Sequence, residues 1–238
     1  MRIALIGYGK MGQMIEQVAL SRGHEITLRI HIDNTEEFTQ ENLAGTDVAI
    51  EFTSPHSAFD NIRRCLDFGV PVVSGSTGWN DRLPQAKDHC RQKGGAFLHA
   101  SNFSVGVNIF FRINRMLARM MNRQAAYEVE VKEIHHTAKL DAPSGTAVTL
   151  AEGILEELER KTQWVKGSAS ATGDLGILSE RIDPAPGTHF VRYHSEIDDI
   201  EIIHTAHNRK GFALGAVLAA EFLAGKSGVF TMDDVLAI

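Results

Sequence analysis

Cysteine is scarce. Cys65 and Cys90 are the only two in 238 residues, too few for a disulfide framework, so nothing here calls for an oxidising compartment. Long apolar runs are missing too. No stretch approaches the roughly 20 residues of a membrane span. The opening Met1-Arg2-Ile3-Ala4-Leu5-Ile6 breaks at Gly7, too short for the apolar region of a secretory signal. Positive charge is in the minority, 24 Lys and Arg against 30 Asp and Glu for a net charge of −6, which excludes the broad basic field of a nucleic-acid binder. A local basic patch for a dianionic ligand remains compatible with that balance. Repeats and low-complexity tracts are absent. What is present, 43% hydrophobic and 23% charged residues, suits one or two domains with a real core. The expectation is a cytoplasmic protein with no membrane or nucleic-acid partner.

Ile3 to Ile6 reads as a buried strand cut off by glycine. Met11, Met14, Ile15, Val18 and Ala19 follow at helical spacing, and Gly23 ends that helix. Residues 25–32 alternate as a second strand ending at Asp33. Residues 48–52, 70–73 and 96–99 read as further strands, and 57–68 and 81–93 as helices. This repeated strand–helix alternation predicts a Rossmann-like, doubly wound parallel sheet with ligands at the carboxyl ends of its strands. The pattern changes after Asn102. Residues 105–122 read as a long helix, 128–134 as a strand exposed on one face, and 144–161 as a helix. Residues 166–188 are rich in Gly, Ser and Pro and read as loop. Residues 190–195 and 200–205 read as antiparallel strands around Asp198-Asp199, and 212–223 as a final helix. The expected division is a dinucleotide-binding domain of residues 1–103 plus 209–238 and a smaller α+β domain of residues 104–208, with a mixed or mostly antiparallel sheet.

Gly7-Tyr8-Gly9-Lys10-Met11-Gly12 fits G-x-G-x-x-G between a strand and a helix. The first glycine permits a tight turn, the second lets backbone approach a pyrophosphate, and the third lets helix and strand pack closely. The helix N-terminus supplies N–H donors. Asp33 follows about 20 residues later, where an acid accepts hydrogen bonds from an adenosine ribose. The competing reading is a glycine turn that binds nothing. Asp33 would repel a 2′-phosphate, and no Lys or Arg follows it before Arg63, although Lys10 could reach such a phosphate. NADH is therefore the expected cofactor, with NADPH also usable. Gly75-Ser76-Thr77-Gly78 and Ala100-Ser101-Asn102-Phe103-Ser104 follow two further strands. They suit the nicotinamide ribose and amide, or else are ordinary turns.

Residues 133–147 read Glu-Ile-His-His-Thr-Ala-Lys-Leu-Asp-Ala-Pro-Ser-Gly-Thr-Ala. Two histidines that titrate near neutral pH precede a lysine and a helix opened by Pro143 and Ser144. A free helix N-terminus beside that basic group suits a carboxylate. On a strand, His135 and His136 would point to opposite faces and differ in role. Adjacent histidines lack the spacing of metal ligands on one face. Metal binding and a purely structural role stand as alternatives to anion binding with acid–base work.

This segment resembles the signature of the dihydrodipicolinate (4-hydroxy-tetrahydrodipicolinate) reductase family, E-x-H-H-x-x-K-x-D-A-P-S-G-T-A. Gly7–Gly12, Gly75–Gly78, Ala100–Asn108 and His204–Ala216 match its other motifs in order. The resemblance implies NAD(P)H-dependent reduction of 4-hydroxy-tetrahydrodipicolinate with loss of water, in lysine and diaminopimelate synthesis. It implies His135 as proton donor or acceptor, Lys139 as proton donor, and His136, Gly145 and Thr146 as substrate-binding positions. It also implies a homotetramer built through the second domain's sheet, a small dicarboxylate substrate, and closure of the two domains during hydride transfer. Arg209 is a further candidate for a carboxylate or an interdomain contact, or a solvated surface residue. The chain departs from the family at Ser179-Glu180-Arg181-Ile182-Asp183, where S-x-R-x-G is usual, and at Gly187-Thr188-His189, where G-E-H is usual. These departures bear on that loop's conformation and its subunit contacts. The rival readings are another amino-acid dehydrogenase on the same scaffold, which leaves the histidine segment unexplained, and a nonenzymatic NAD-binding sensor, which has no need of it.

Overall fold

The apolar run after Arg2 forms β1 (Arg2–Ile6), buried from Ile3 onward. In the computed structural model, which describes residues 1–238, it begins a succession of α1 (Lys10–Ser21), β2 (Glu25–Ile30), β3 (Val48–Glu51), α2 (Ala58–Asp67), β4 (Val72–Ser74), α3 (Leu83–Lys93) and β5 (Ala96–His99). The next elements are α4 (Val105–Met121), β6 (Glu128–His135), α5 (Gly145–Leu155), β7 (Gln163–Lys166), β8 (Asp174–Arg181), β9 (Thr188–His194) and β10 (Asp199–Thr205). The chain ends with α6 (Lys210–Leu223), β11 (Gly228–Phe230) and α7 (Met232–Leu236). It divides into two compact units, Met1–Val105 with Lys210–Ile238, and Gly106–Arg209.

The first unit holds a six-stranded, all-parallel sheet in the order β11-β5-β4-β3-β1-β2. Alternate residues of β1 feed separate cores on its two faces, Ile3 and Leu5 into one and Ala4 and Ile6 into the other. This is the expected doubly wound α/β arrangement. The small residues of α6, among them Ala213, Ala216 and Ala220, are fully buried against it. At Gly215 an added Cβ would lie 1.6 Å from the Phe103 carbonyl oxygen, so only glycine permits that approach. The short strand β11 and helix α7 add an edge and a cap that the sequence reading did not include.

The second unit holds a five-stranded mixed sheet, β10-β9-β6-β8-β7. β6 runs antiparallel to β9 and parallel to β8. Along β6 the residues Val129, Val131, Glu133 and His135 alternate onto the buried face, which α4 and α5 cover. The other face, with Glu130 and Lys132, is half-exposed.

Three readings need correction. Residues 166–188 are not a loop: they contain β8, whose Asp174-Leu175-Gly176-Ile177 stretch is wholly buried. Its glycine disguised a strand. A Cβ on Gly176 would sit 2.7 Å from the Gly167 carbonyl oxygen, so close backbone approach requires the residue that mimics loop composition. The helix read to residue 161 stops at Leu155, and Leu158 reaches the core from a turn instead. The second strand ends at Ile30, so Asp33 lies on a short 3-10 helix, Ile32–Glu37, beyond it.

Candidate active site

Within the first unit the glycine loop closes on itself as its motif requires. Gly7 has φ +106°, and a Cβ there would lie 2.0 Å from the Phe52 carbonyl oxygen. A Cβ on Gly12 would lie 2.2 Å from the Gly7 oxygen. Gly9 has nothing within 4 Å of its Cβ position, and as N-cap of α1 it makes no side-chain cap bond. The helix end is therefore left open. A cavity of about 470 Å³ lies in front of it, lined by Gly7, Gly9, His31, Thr35, Thr53 and Arg64 among others. Open space at Gly9, helix N–H donors and a cavity of this size fit the pyrophosphate and adenosine of a dinucleotide.

Other expected cofactor positions are more varied. Asp33 is largely exposed, with its carboxylate 2.9 Å from His31 Nδ1. Lys10 is exposed and Met11 half-buried. The Tyr8 hydroxyl donates to Glu16. Ser76 is engaged internally: its hydroxyl donates to Glu51 Oε1 at 2.8 Å and accepts from Thr53 N at 2.8 Å, and its carbonyl accepts from Trp79 Nε1 at 2.7 Å. Ser74 Oγ also donates to Glu51, and Thr53 donates to it through hydroxyl and backbone N. Glu51 is thus a buried peg joining the loops after β3 and β4. Burial pushes its carboxyl above the ordinary value despite those hydrogen bonds. Gly75 leaves room for the Phe52 ring, which a Cβ would meet at 2.1 Å. Thr77 and Ser101 are exposed, and Ala100 and Asn102 half-buried. Asn102 Oδ1 accepts from Ser104 N at 2.9 Å. The Phe103 ring is buried in the core, 5.6 Å from that of Phe52, so a ligand would meet its backbone.

In the second unit the site grows from the end of β6. Its inward row changes there from valine to Glu133 and His135. A carboxylate at a fully buried position must be met by donors, and the neighbouring strands supply them. Arg181 Nη2, at the end of β8, lies 3.1 Å from Glu133 Oε1, and Ser144 N donates to the same oxygen at 3.1 Å. His135 Nδ1 lies 3.1 Å from Glu133 Oε2. Burial alone would raise the Glu133 carboxyl, but the nearby donor groups of His135, Ser144, Ser179 and Arg181 outweigh it and hold it well below the ordinary range. His189, on β9, packs edge-on against His135 with ring centroids 5.1 Å apart, and its Nε2 lies 3.2 Å from Ser144 Oγ. Burial, then the charge of His135, push the His189 imidazole down to about 3. Glu133, His135 and His189 hold their ligand-type atoms within 4.8 Å of one another. The Arg181 guanidinium already meets the Glu133 charge, which disfavours a cation there.

Ser144 N-caps α5 by accepting from Ala147 N at 3.2 Å. Pro143 therefore stands before the cap, outside the first turn where the sequence reading put it. Gly145 is exposed, with nothing within 4 Å of its Cβ position, and Thr146 follows half-buried. His136 lies just past β6 and is half-buried, as opposite-facing neighbours require. The next residue, Thr137, donates to Asp183 through its backbone N at 3.1 Å and its hydroxyl at 2.6 Å. Lys139 Nζ pairs with Asp141 Oδ1 at 2.6 Å, and the Asp141 carbonyl accepts from Arg181 at 2.6 Å. Arg209 is exposed in the turn before α6.

The sequence reading missed Glu133, Arg181 and His189 as members of this group. The sequence pattern reads Arg181 and His189 as part of a loop bearing on subunit contacts, whereas they lie on β8 and β9, the two strands that flank β6. The available signal was the alternation of β6 itself, which puts Glu133 and His135 in the core-facing row.

Comparison with known proteins covers both units. The family model described as the dihydrodipicolinate reductase N-terminus matches residues 1–103, and that described as its C-terminus matches residues 106–236. A 4-hydroxy-tetrahydrodipicolinate reductase of Christiangramia forsetii is 49% identical over 237 residues, 100% of this chain and 98% of its own. One from Neisseria meningitidis serogroup B is 35% identical over 230 residues, 94% of this chain and 84% of its own. Among solved structures, a dipicolinate-bound dihydrodipicolinate reductase from Paenisporosarcina sp. TG-14 aligns over 98% of both chains with a TM-score of 0.80 at 24% identity. An amine dehydrogenase from Mycobacterium smegmatis aligns over 98% of this chain and 95% of its own with a TM-score of 0.63 at 12% identity. These two structures share the fold.

Proposed function

The chain belongs to the dihydrodipicolinate reductase family, and we propose that its second unit binds substrate at the open end of α5, with His135 and Lys139 handling the protons. The activity is the reduction of 4-hydroxy-tetrahydrodipicolinate to tetrahydrodipicolinate with loss of water, a step of lysine synthesis that uses a nicotinamide cofactor. The observation that carries the assignment of residues is the end of β6. There the buried row becomes charged, and Glu133 ties it to the N-cap of α5.

Bound as the reduced nicotinamide, the cofactor supplies the hydride. The chain's own residues must hold two carboxylates and move protons. Burying a carboxylate without partners costs several kcal/mol. Backbone N–H groups of Gly145 and Thr146 offer donors to one carboxylate, and the bare Cα of Gly145 lets it approach. Lys139 brings charge and a proton. Its partner Asp141 is exposed, so a substrate carboxylate can take over the ammonium. His136 contributes a further donor. His135 presents a proton from a residue type suited to neutral pH.

In the first unit Gly7 to Gly12 hold the pyrophosphate, and Asp33 accepts from the adenosine ribose. The Asp33 charge, which would oppose a 2′-phosphate, supports NADH over NADPH, with NADPH also accepted. Gly75, Ser76 and Thr77, with Ala100 to Phe103, support the nicotinamide end, Ser76 by anchoring its loop to Glu51. The half-exposed face of the second sheet supports a homotetramer, and the chain acts in the cytoplasm. No helix is long and apolar enough to cross a membrane.

The test is loss of 340 nm absorbance with substrate made in situ by the preceding synthase, run with NADH and with NADPH. Turnover dependent on that substrate, faster with NADH, is expected. No turnover with either reductant would overturn the reading, and a clear NADPH advantage would overturn the cofactor assignment.

A further inference from the structure

Three donors converge on the Glu133 carboxylate from three elements: Ser144 N at the α5 cap, Arg181 Nη2 on β8, and the Nδ1 edge of His135 on β6 itself. The first two share Oε1, each at 3.1 Å. Oε2 lies 3.1 Å from His135 Nδ1, and both atoms are buried and complete no hydrogen bond as placed, so a proton on Nδ1 turned toward Oε2 would satisfy the two at once. The opposite edge of the ring is kept clear by a glycine. A Cβ on Gly187 would lie 3.0 Å from His135 Nε2 and 3.2 Å from Cδ2.

We infer that Glu133 is the positioning residue of His135: it holds the proton on Nδ1, so that Nε2 is the nitrogen presented to the reaction, and it locks that ring to the capped end of α5. The inference rests on the reading of His135 as a proton-handling group. An imidazole beside a carboxylate keeps one tautomer and one orientation. His189 on β9 packs edge-on against the His135 ring, and Arg181 on β8 meets Oε1 of the same carboxylate. Only Glu133 offers an acceptor for Nδ1–H.

A neutral amide at this position cannot do the same work. Glutamine has one acceptor oxygen, which Ser144 N and Arg181 already claim. Its NH2 would then face His135 Nδ1, forcing Nδ1 to accept and moving the proton to Nε2. Glu133→Gln should therefore reverse the neutral tautomer, and Glu133→Asp should retain it.

The experiment uses the full-length protein. Nitrogen-15 NMR of the imidazoles, with His135 assigned by comparison with His135→Gln, reads the tautomer directly. Wild type should carry the proton of neutral His135 on Nδ1. Glu133→Gln should carry it on Nε2, with kcat reduced at least about 10-fold. Binding of NADH and of pyridine-2,6-dicarboxylate should stay within about threefold, and Glu133→Asp should recover most of kcat. The tautomer is the deciding readout. Proton placement on Nε2 in the wild type overturns the inference even if the variant fails to fold. An unchanged tautomer in a folded glutamine variant overturns it as well. If His135→Gln itself turns over normally, the reading of His135 falls, and the inference with it. If His135→Gln is inactive while Glu133→Gln is normal, the inference alone falls.

Discussion

Acidification from pH 6.5 to 5.0 should cost the fold about 2 kcal/mol through His189 alone, because each pH unit between two shifted titrations is worth about 1.4 kcal/mol. The folded imidazole is pushed down to about 3, first by burial and next by the charge of His135. In the unfolded chain it titrates near 6.5. Between those values the unfolded chain binds a proton that the folded one refuses. The stability contributed is complete above pH 6.5 and is lost as pH falls toward 3. The perturbation is His189→Gln, which keeps a polar partner for Ser144 Oγ and does not titrate. Urea denaturation of wild type and variant at pH 7.5 and pH 5.0 gives the comparison. Depressed groups common to both proteins, His99 and His204, cancel in the difference. Glu133 does not intrude, because its lowered carboxyl matters only below its ordinary value of 4.5. Wild type should lose about 2 kcal/mol more than the variant over this window. Equal losses in the two proteins would refute the buried, neutral state of His189.

Asp33→Ala should weaken NADH more than NADPH, since it removes a ribose acceptor and a charge that opposes the 2′-phosphate; fluorescence titration with both reductants checks this, and an unchanged affinity ratio would place Asp33 elsewhere. Glu51 has a raised folded pKa, so its penalty is absent below pH 4.5 and grows as pH rises through the folded value. Glu51→Gln should accordingly be more stable than wild type at neutral pH in thermal unfolding, with the gap closing toward pH 4; a variant less stable at pH 7 would show that the carboxylate itself is needed. Gly187→Ala should lower kcat while leaving NADH affinity unchanged, since its Cβ would press on His135 Nε2 at 3.0 Å; steady-state kinetics with a cofactor titration separates the two effects.

The first unit was legible because each signal had a local cause. The glycine loop needs positive φ at Gly7 and bare Cα atoms at Gly7 and Gly12, and those demands are written in the residue types themselves. The strand–helix alternation follows from a parallel sheet buried on both faces. Asp33 was misplaced because the alternation of β2 runs on into Ile32 of the following 3-10 helix, and periodicity does not mark where pairing stops. The second unit was legible in part. His135, His136 and the α5 opening stood out through dense chemistry, but β8 hid behind glycines required by backbone approach at Gly176. With β8 unseen, Arg181 had no strand to sit on and Glu133 no visible counter-charge. The pairing of β6 with both β8 and β9 is non-local, and no spacing within residues 133–147 announces it.

The central claim is that the segment from His135 to Thr146 is the acid site, while the glycine loop holds the cofactor independently of it. Lys139→Met tests this most directly, with steady-state kinetics, pyridine-2,6-dicarboxylate inhibition and NADH fluorescence titration on one preparation. The partner left behind, Asp141, is exposed, so the fold should tolerate the change. The expected result is a loss of about 10²-fold or more in kcat/KM, weaker dicarboxylate binding and unaltered NADH affinity. Near-normal turnover, or loss of NADH binding in place of dicarboxylate binding, would contradict it.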